Sequence, residues 1–214
     1  MSERRPIASR NTKLAARAAK ALAEWGVSPN HISQASMVFA AIAGGAFWLS
    51  GTTDGVMYMV CLLVAALGCQ LRLLCNLFDG MVAVEGGRGA PDGPFWNEAP
   101  DRVADALILV GIGLGTGHPG LGWAAAAFAI GTAYLRELGS AQGLNADFRG
   151  PMAKPQRMAV ATAAALIAAF LPVVFGWSVL VVALWVIILG GAVTVLRRSS
   201  RMITSLKTAS KTGT

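Results

Sequence analysis

Charge is what this sequence has least of. Asp, Glu, Lys and Arg make up 14% of its 214 residues, while 55% are apolar, and soluble domains of this size are rarely so poor in charge. Histidine is almost missing: His31 and His118 stand isolated near the ends of apolar stretches, which argues against a metal role for either. The three cysteines, Cys61, Cys69 and Cys75, are odd in number and lie inside one apolar run. That excludes a disulfide framework and a zinc site, and leaves packing. The first 25 residues hold six basic residues, Arg4, Arg5, Arg10, Lys13, Arg17 and Lys20, but no apolar core, so no cleavable signal peptide is expected. Readout elements that would turn the net charge of +7 towards nucleic acid are missing. So are the inverted repeats and paired broken helices of a transporter.

What the sequence does have is long, nearly uncharged apolar stretches, of the length a hydrocarbon core of ~30 Å requires. Six are expected to cross the membrane: Ile32 to Ser50, Val56 to Phe78, Ala104 to Gly117, Leu121 to Tyr134, Met158 to Phe175, and Ser178 to Val195. The third is short and is expected to begin further back, on a polar cytoplasmic extension; the fourth is expected to run on through Arg136. The fold class is an all-α membrane protein, six transmembrane helices plus an N-terminal interfacial amphipathic helix. It is one domain over 1–214: a cytoplasmic amphipathic segment at 1–31, the six-span core at 32–197 and a basic tail at 198–214.

Orientation follows from the 18 lysines and arginines. The connections at Gly51 to Gly55, His118 to Gly120 and Gly176 to Trp177 contain none; all lie before the first span, around the second and fourth connections, or from Arg197 onward. The positive-inside bias therefore places both termini in the cytoplasm. Thr12 to Trp25 puts Leu14, Ala18, Leu22 and Trp25 on one helical face, suited to the membrane interface. The tail from Arg198 is basic and polar, expected to be disordered near anionic lipid. Gly44, Gly45, Gly111, Gly113, Gly115, Gly190 and Gly191 permit close helix packing and would also suit a homodimer.

The second connection carries the chemistry. On a helix, Asn76, Asp79, Gly80 and Ala83 stand at i, i+3, i+4 and i+7, a single face. Gly93, Asn97, Asp101 and Asp105 step by four and form another. Two such faces meeting would present oxygen ligands to each other with room beside them, an arrangement for a hard divalent cation and a phosphate-bearing ligand. Ionisable groups this close to hydrocarbon are costly and usually functional. The glycine-rich turn between them, Glu85 to Gly93, reads as a loop over an open site.

This spacing resembles the signature of the CDP-alcohol phosphotransferase family, D-x-x-D-G-x-x-A-R, eight residues, then G-x-x-x-D-x-x-x-D. Asp79, Gly80, Ala83, Gly93 and Asp101 are identical to it without a gap. Ser28 to Ser33 is similar to the Pro-Asn turn that opens the family's first span. Arg136-Glu137 resembles an Arg-Glu pair after the fourth, and Lys154 and Arg157 sit where members place basic residues for substrate phosphates. Three positions depart from the frame: Asn76 and Asn97 replace aspartates, and Val84 replaces the arginine.

The resemblance implies a multi-pass protein of the plasma (inner) membrane in phospholipid biosynthesis. It would move a substituted phosphate group from CDP-diacylglycerol, or another CDP-activated donor, to a small alcohol, releasing CMP. Asp101 would be the general base. Asp79 and Asp101, helped by Asn76 and Asn97, would hold Mg²⁺ or Mn²⁺; Gly80, Ala83 and Gly93 would admit the nucleotide; Arg136, Lys154 and Arg157 would hold phosphates or the acceptor. In that family four aspartates surround two ions. An asparagine offers a carbonyl oxygen but no charge, so weaker metal binding and a single ion are expected. Glu85, Asp92, Glu98 and Asp105 lie near enough to compensate. A protein that keeps the fold without turnover is the alternative.

Overall fold

The computed structural model describes residues 12–85 and 91–212. The glycine-rich turn therefore falls outside the described residues at 86–90, as does the chain before Thr12.

Side-chain caps start the first two helices. The Thr12 hydroxyl accepts the Ala15 N–H at 3.3 Å and opens α1 (Lys13–Glu24). Ser28 accepts the His31 N–H at 3.2 Å, with Pro29 preset at the first helical position of α2 (Pro29–Ser50). There follow α3 (Gly55–Glu85), α4 (Gly93–Gly115), α5 (Pro119–Ala141) and α6 (Lys154–Phe170). A two-stranded hairpin, β1 (Val173–Val174) and β2 (Trp177–Ser178), leads into α7 (Val179–Thr212).

Both expected extensions are present: α4 begins eleven residues before Ala104, and α5 passes Arg136 to Ala141. Two boundaries differ from expectation. The fifth stretch was expected to run to Phe175, but α6 stops at Phe170, because the residue before Pro172 is driven out of helical geometry (Leu171 φ −136°, ψ 77°). Phe175 and Gly176 then take positive φ, 51° and 82°, as a tight two-residue hairpin turn requires. The tail expected to be disordered is instead the continuation of α7, which reaches Thr212; no Gly or Pro interrupts the chain between Gly191 and that point.

α2 packs on both α3 and α4, α3 on α6, α6 on α7, α7 on α5, and α5 back on α4. The six long helices thus close a ring in the order α2, α3, α6, α7, α5, α4. Its core is built from small residues, among them Ala40 and Ala43 of α2, Ala65 of α3, Ala125 and Ala129 of α5, and Ala161 and Ala165 of α6. Larger side chains, Phe47, Leu62, Ile108, Leu109 and Leu184, fill the spaces between. The α2–α4 seam is tightest: a Cβ on Gly44 would strike the Leu107 carbonyl, and one on Gly111 would strike Gly44. Of the seven glycines expected to serve packing, Gly44, Gly111, Gly113, Gly115, Gly190 and Gly191 are spent in this way inside the chain, and Gly45 faces open space.

Among the described residues, three helical stretches are long and apolar enough to cross a bilayer: Pro29–Ser50, Gly55–Val84 and Val179–Thr208. All six ring helices carry exposed large apolar side chains, for example Val38, Leu67, Leu107, Trp123, Ile167 and Leu189. α1 docks against α3 by its alanine face: Ala15 and Ala19 are buried with Ile32, Met81 and Val82, while Trp25, expected on the apolar face, is exposed.

Candidate functional site

The polar stripes of α3 and α4 do meet, at the end of the ring where α2 and α6 begin. From α3 come Arg72, Asn76, Asp79, Gly80 and Ala83; from α4 come Glu98, Asp101, Arg102 and Asp105; the first turn of α6 adds Lys154 and Arg157.

Asp105 is the pivot. It is 1% exposed, and its two oxygens accept from two arginines: Oδ1 from Arg72 at 2.8 Å and Oδ2 from Arg157 at 2.6 Å. Arg72, fully buried, also reaches the Asp101 carboxylate and the Asp101 carbonyl, each at 3.3 Å. The other oxygen of Asp101 accepts from Lys154. Arg157 spends its remaining Nη on Thr132 Oγ1 (3.2 Å) and the Met152 carbonyl (3.0 Å). Buried charges persist only when paired and hydrogen-bonded in this way.

Asp79 faces this network across the site; its oxygens accept from Ser33 of α2 (2.8 Å) and from the Gly80 N–H (2.5 Å). Lys154 and Asp101 both act on it electrostatically. Asn30 of α2 donates to Asp92, the residue before α4, and so ties the two helix starts together. At the rim, Glu98 accepts from both Arg102 and Arg136. Arg136 also donates to Glu137 at 2.9 Å and lies over the Phe148 ring, 5.5 Å from its centroid. On the outer side of this rim a groove of about 340 Å³ opens between α4 and α5, walled by Phe95, Ile130, Ala133 and Tyr134.

The connection from α5 to α6 sets where Lys154 and Arg157 stand. It is laced to α7: Thr194 Oγ1 accepts the Met152 N–H at 3.0 Å, and Arg198 donates to the carbonyls of Arg149 (3.0 Å) and Thr132 (2.5 Å). Arg149 and Arg201 clamp Asp147.

The expected residues therefore fall into two groups. Asp79, Asp101, Lys154 and Arg157 converge with Asn76 alongside. Asn97 is exposed, Gly93 opens α4 with no atom near enough to obstruct a side chain, and Arg136 is held at the rim by Glu98. Gly80 and Ala83 are half-buried on α3. Arg72 and Ser33 went unassigned in the sequence. Arg72 had a signal, since it lies four residues before Asn76 on the same stripe, but its charge served only to fix orientation.

A divalent cation needs several converging oxygen lone pairs. Here both oxygens of Asp101, Asp105 and Asp79 are already engaged by N–H or O–H donors, and no group of three His, Cys, Asp or Glu side chains suited to a metal occurs among the described residues. The buried atoms left without a partner, Arg72 Nε and Nη1, Asn76 Nδ2 and Arg157 Nε, are all donors. In this arrangement the carboxylates serve as acceptors for the surrounding N–H and O–H donors.

The fold itself is shared with solved structures of phosphatidylinositol phosphate synthase (PgsA1) from Mycobacterium tuberculosis. The structure with CDP-DAG bound matches with a TM-score of 0.72 and 20% identity, over 89% of this chain and 94% of that one. The complex with manganese and citrate gives 0.73 and 19%, over 89% of each chain. The apo form gives 0.68 and 18%, over 86% of this chain and 93% of that one. No protein-family model and no curated protein sequence matches the chain.

Proposed function

We propose that this chain is a membrane-embedded transferase that moves a substituted phosphate group from a CDP-activated donor to a small alcohol and releases CMP. CDP-diacylglycerol is the first candidate donor. The observation that carries the reading is the convergence of Asp79, Asp101 and Lys154 at one end of a ring of helices whose fold is that of a synthase solved with CDP-DAG bound.

In this reading the six ring helices cross the bilayer and both termini are cytoplasmic, so the site opens at the cytoplasmic interface. Gly80 and Ala83 leave space for the nucleotide beside α3. The acceptor hydroxyl attacks the β-phosphorus of the donor; its proton passes to Asp101, the new P–O bond forms, and the bond to the CMP oxygen breaks. Lys154, which caps Asp101 at rest, turns to the phosphate oxygens as they gain charge, freeing a carboxylate oxygen for the proton. Arg136, at the rim, is placed to meet an anionic acceptor once Glu98 releases it.

The test is CMP release from CDP-diacylglycerol by the detergent-purified chain, against a panel of small alcohols. Asp101→Asn is expected to lower release by about 10²-fold or more, the usual worth of a general base, without changing donor binding. No release with any acceptor, from protein that binds the donor, would sink the transferase reading. It would favour a protein that holds a CDP-activated lipid without turnover, a second reading supported by the double capping of Asp101 by Arg72 and Lys154.

A further inference from the structure

Around Asp105 and Asp101 the buried polar groups are out of balance in one direction. Three carboxylates, Asp79, Asp101 and Asp105, stand among three cations, Arg72, Lys154 and Arg157, and every carboxylate oxygen has a donor. Four buried nitrogen donors have no acceptor: Nε and Nη1 of Arg72, Nδ2 of Asn76 and Nε of Arg157. Buried polar groups are normally satisfied, and an orphaned donor costs about 1–3 kcal/mol. A cluster of orphans of one type therefore indicates what is missing: an oxygen acceptor, not a cation.

The two asparagines point the same way. Asn76 carries a buried amide nitrogen, a donor, without a partner, whereas Asn97 is exposed. Lys154 is the movable member of the set. Its side chain is 29% exposed, and if it leaves Asp101 that carboxylate keeps Arg72 at 3.3 Å and Arg102 at 3.9 Å. Asp101 thus tolerates the loss of one cation partner to an incoming anion.

We propose that this site binds phosphate oxygens directly on protein N–H donors, led by Lys154 and Asn76 with the two arginines behind them, so that the ligand is held without a divalent cation. The ligand class is a pyrophosphate, whether free or within a nucleoside diphosphate ester. The choice of pyrophosphate rests on the transferase reading; the independence from metal rests on the donor surplus.

The experiment is calorimetric titration of the detergent-purified full chain with inorganic pyrophosphate and, separately, with CDP, first in EDTA and then in Mg²⁺ or Mn²⁺. Saturable binding of pyrophosphate in EDTA, with a metal coupling factor of about 1, is the expected result. Lys154→Met should weaken it about tenfold or more, the worth of one charge-assisted hydrogen bond. Lys154→Arg should retain most of it, and melting temperatures show whether either variant is folded. Pyrophosphate binding that appears only with metal overturns the proposal, as does binding of CDP with pyrophosphate silent throughout. Binding in EDTA by a chain that never releases CMP leaves this inference standing and removes the transferase. CMP release by a chain that binds pyrophosphate only with metal removes this inference and leaves the transferase.

Discussion

Arg72 shows how a single residue can hold a site together while passing unnoticed in the sequence. It lies within an apolar run, where the neighbouring leucines and cysteines make it look like a span's edge charge. Full burial against Asp101 and Asp105 makes it the counterion of the α4 stripe. Asp101 and Lys154 could be found because a gapped frame and a basic position pointed to them. Arg72 shares the stripe of Asn76, but its partners lie about thirty residues away along the chain, and no spacing rule reaches that far to reveal its role. Removing one member of a buried ion pair leaves the other charge uncompensated, which costs about 3–5 kcal/mol. Arg72→Met should therefore lower the melting temperature sharply, and Arg72→Lys should recover part of the loss, because every contact of Arg72 with the two aspartates comes from one nitrogen, Nη2, a role a single ammonium can share. Adding Asp105→Asn to Arg72→Met should cost less than the two single losses combined, since the pair is coupled. Strict additivity would show that the two side chains do not share the network described.

At the scale of elements, the polar stripes were legible because helical period projects sequence spacing directly onto a face. Endpoints were less so. The extent of α7 was hidden by its composition: Arg, Ser, Thr and Lys look like a solvated tail, yet Arg198 and Arg201 are the residues that fasten the α5–α6 connection. That connection fixes the start of α6, hence Lys154. Burial alone would raise the Asp147 carboxyl, but hydrogen bonds from Arg149 and Arg201 outweigh it and hold it at about 2. A carboxyl depressed below its unfolded value, about 3.9, stabilises the fold above that unfolded value. The contribution is lost as pH falls towards 2. The clamp should thus be fully engaged from pH 5 to pH 8. Hydrogen exchange at residues 144–153, corrected for intrinsic rate, should be the same at both ends of that range and faster in Asp147→Asn. A clear change in the wild-type chain between pH 5 and pH 8 would show that some other group governs the connection.

For the whole molecule, the six-helix ring could not be read from the sequence. Apolar periodicity gives how many helices there are but not which neighbours they choose, and here α3 and α6, distant in sequence, lie side by side. Membrane immersion is better founded, because each ring helix turns large apolar side chains outward on a surface no soluble domain of this size would keep bare. The ends of the ring differ in kind. The connections after α2, after α4 and at the β1–β2 hairpin carry no lysine or arginine, whereas the opposite end holds the charged site. On the proposed topology, six crossings with cytoplasmic termini, the first set lies outside. With Cys61, Cys69 and Cys75 replaced by alanine, single cysteines at Thr53, His118 and Trp177 should react with an impermeant maleimide in intact cells. One at Gln142 should react only after lysis. If Thr53, His118 and Trp177 react only after lysis and Gln142 does so in intact cells, the orientation is inverted and the site faces away from a cytoplasmic CDP-activated donor. If the first three divide between the two conditions, at least one of α4, α5 and α6 does not cross, and the ring would have to sit partly outside the hydrocarbon despite its apolar face.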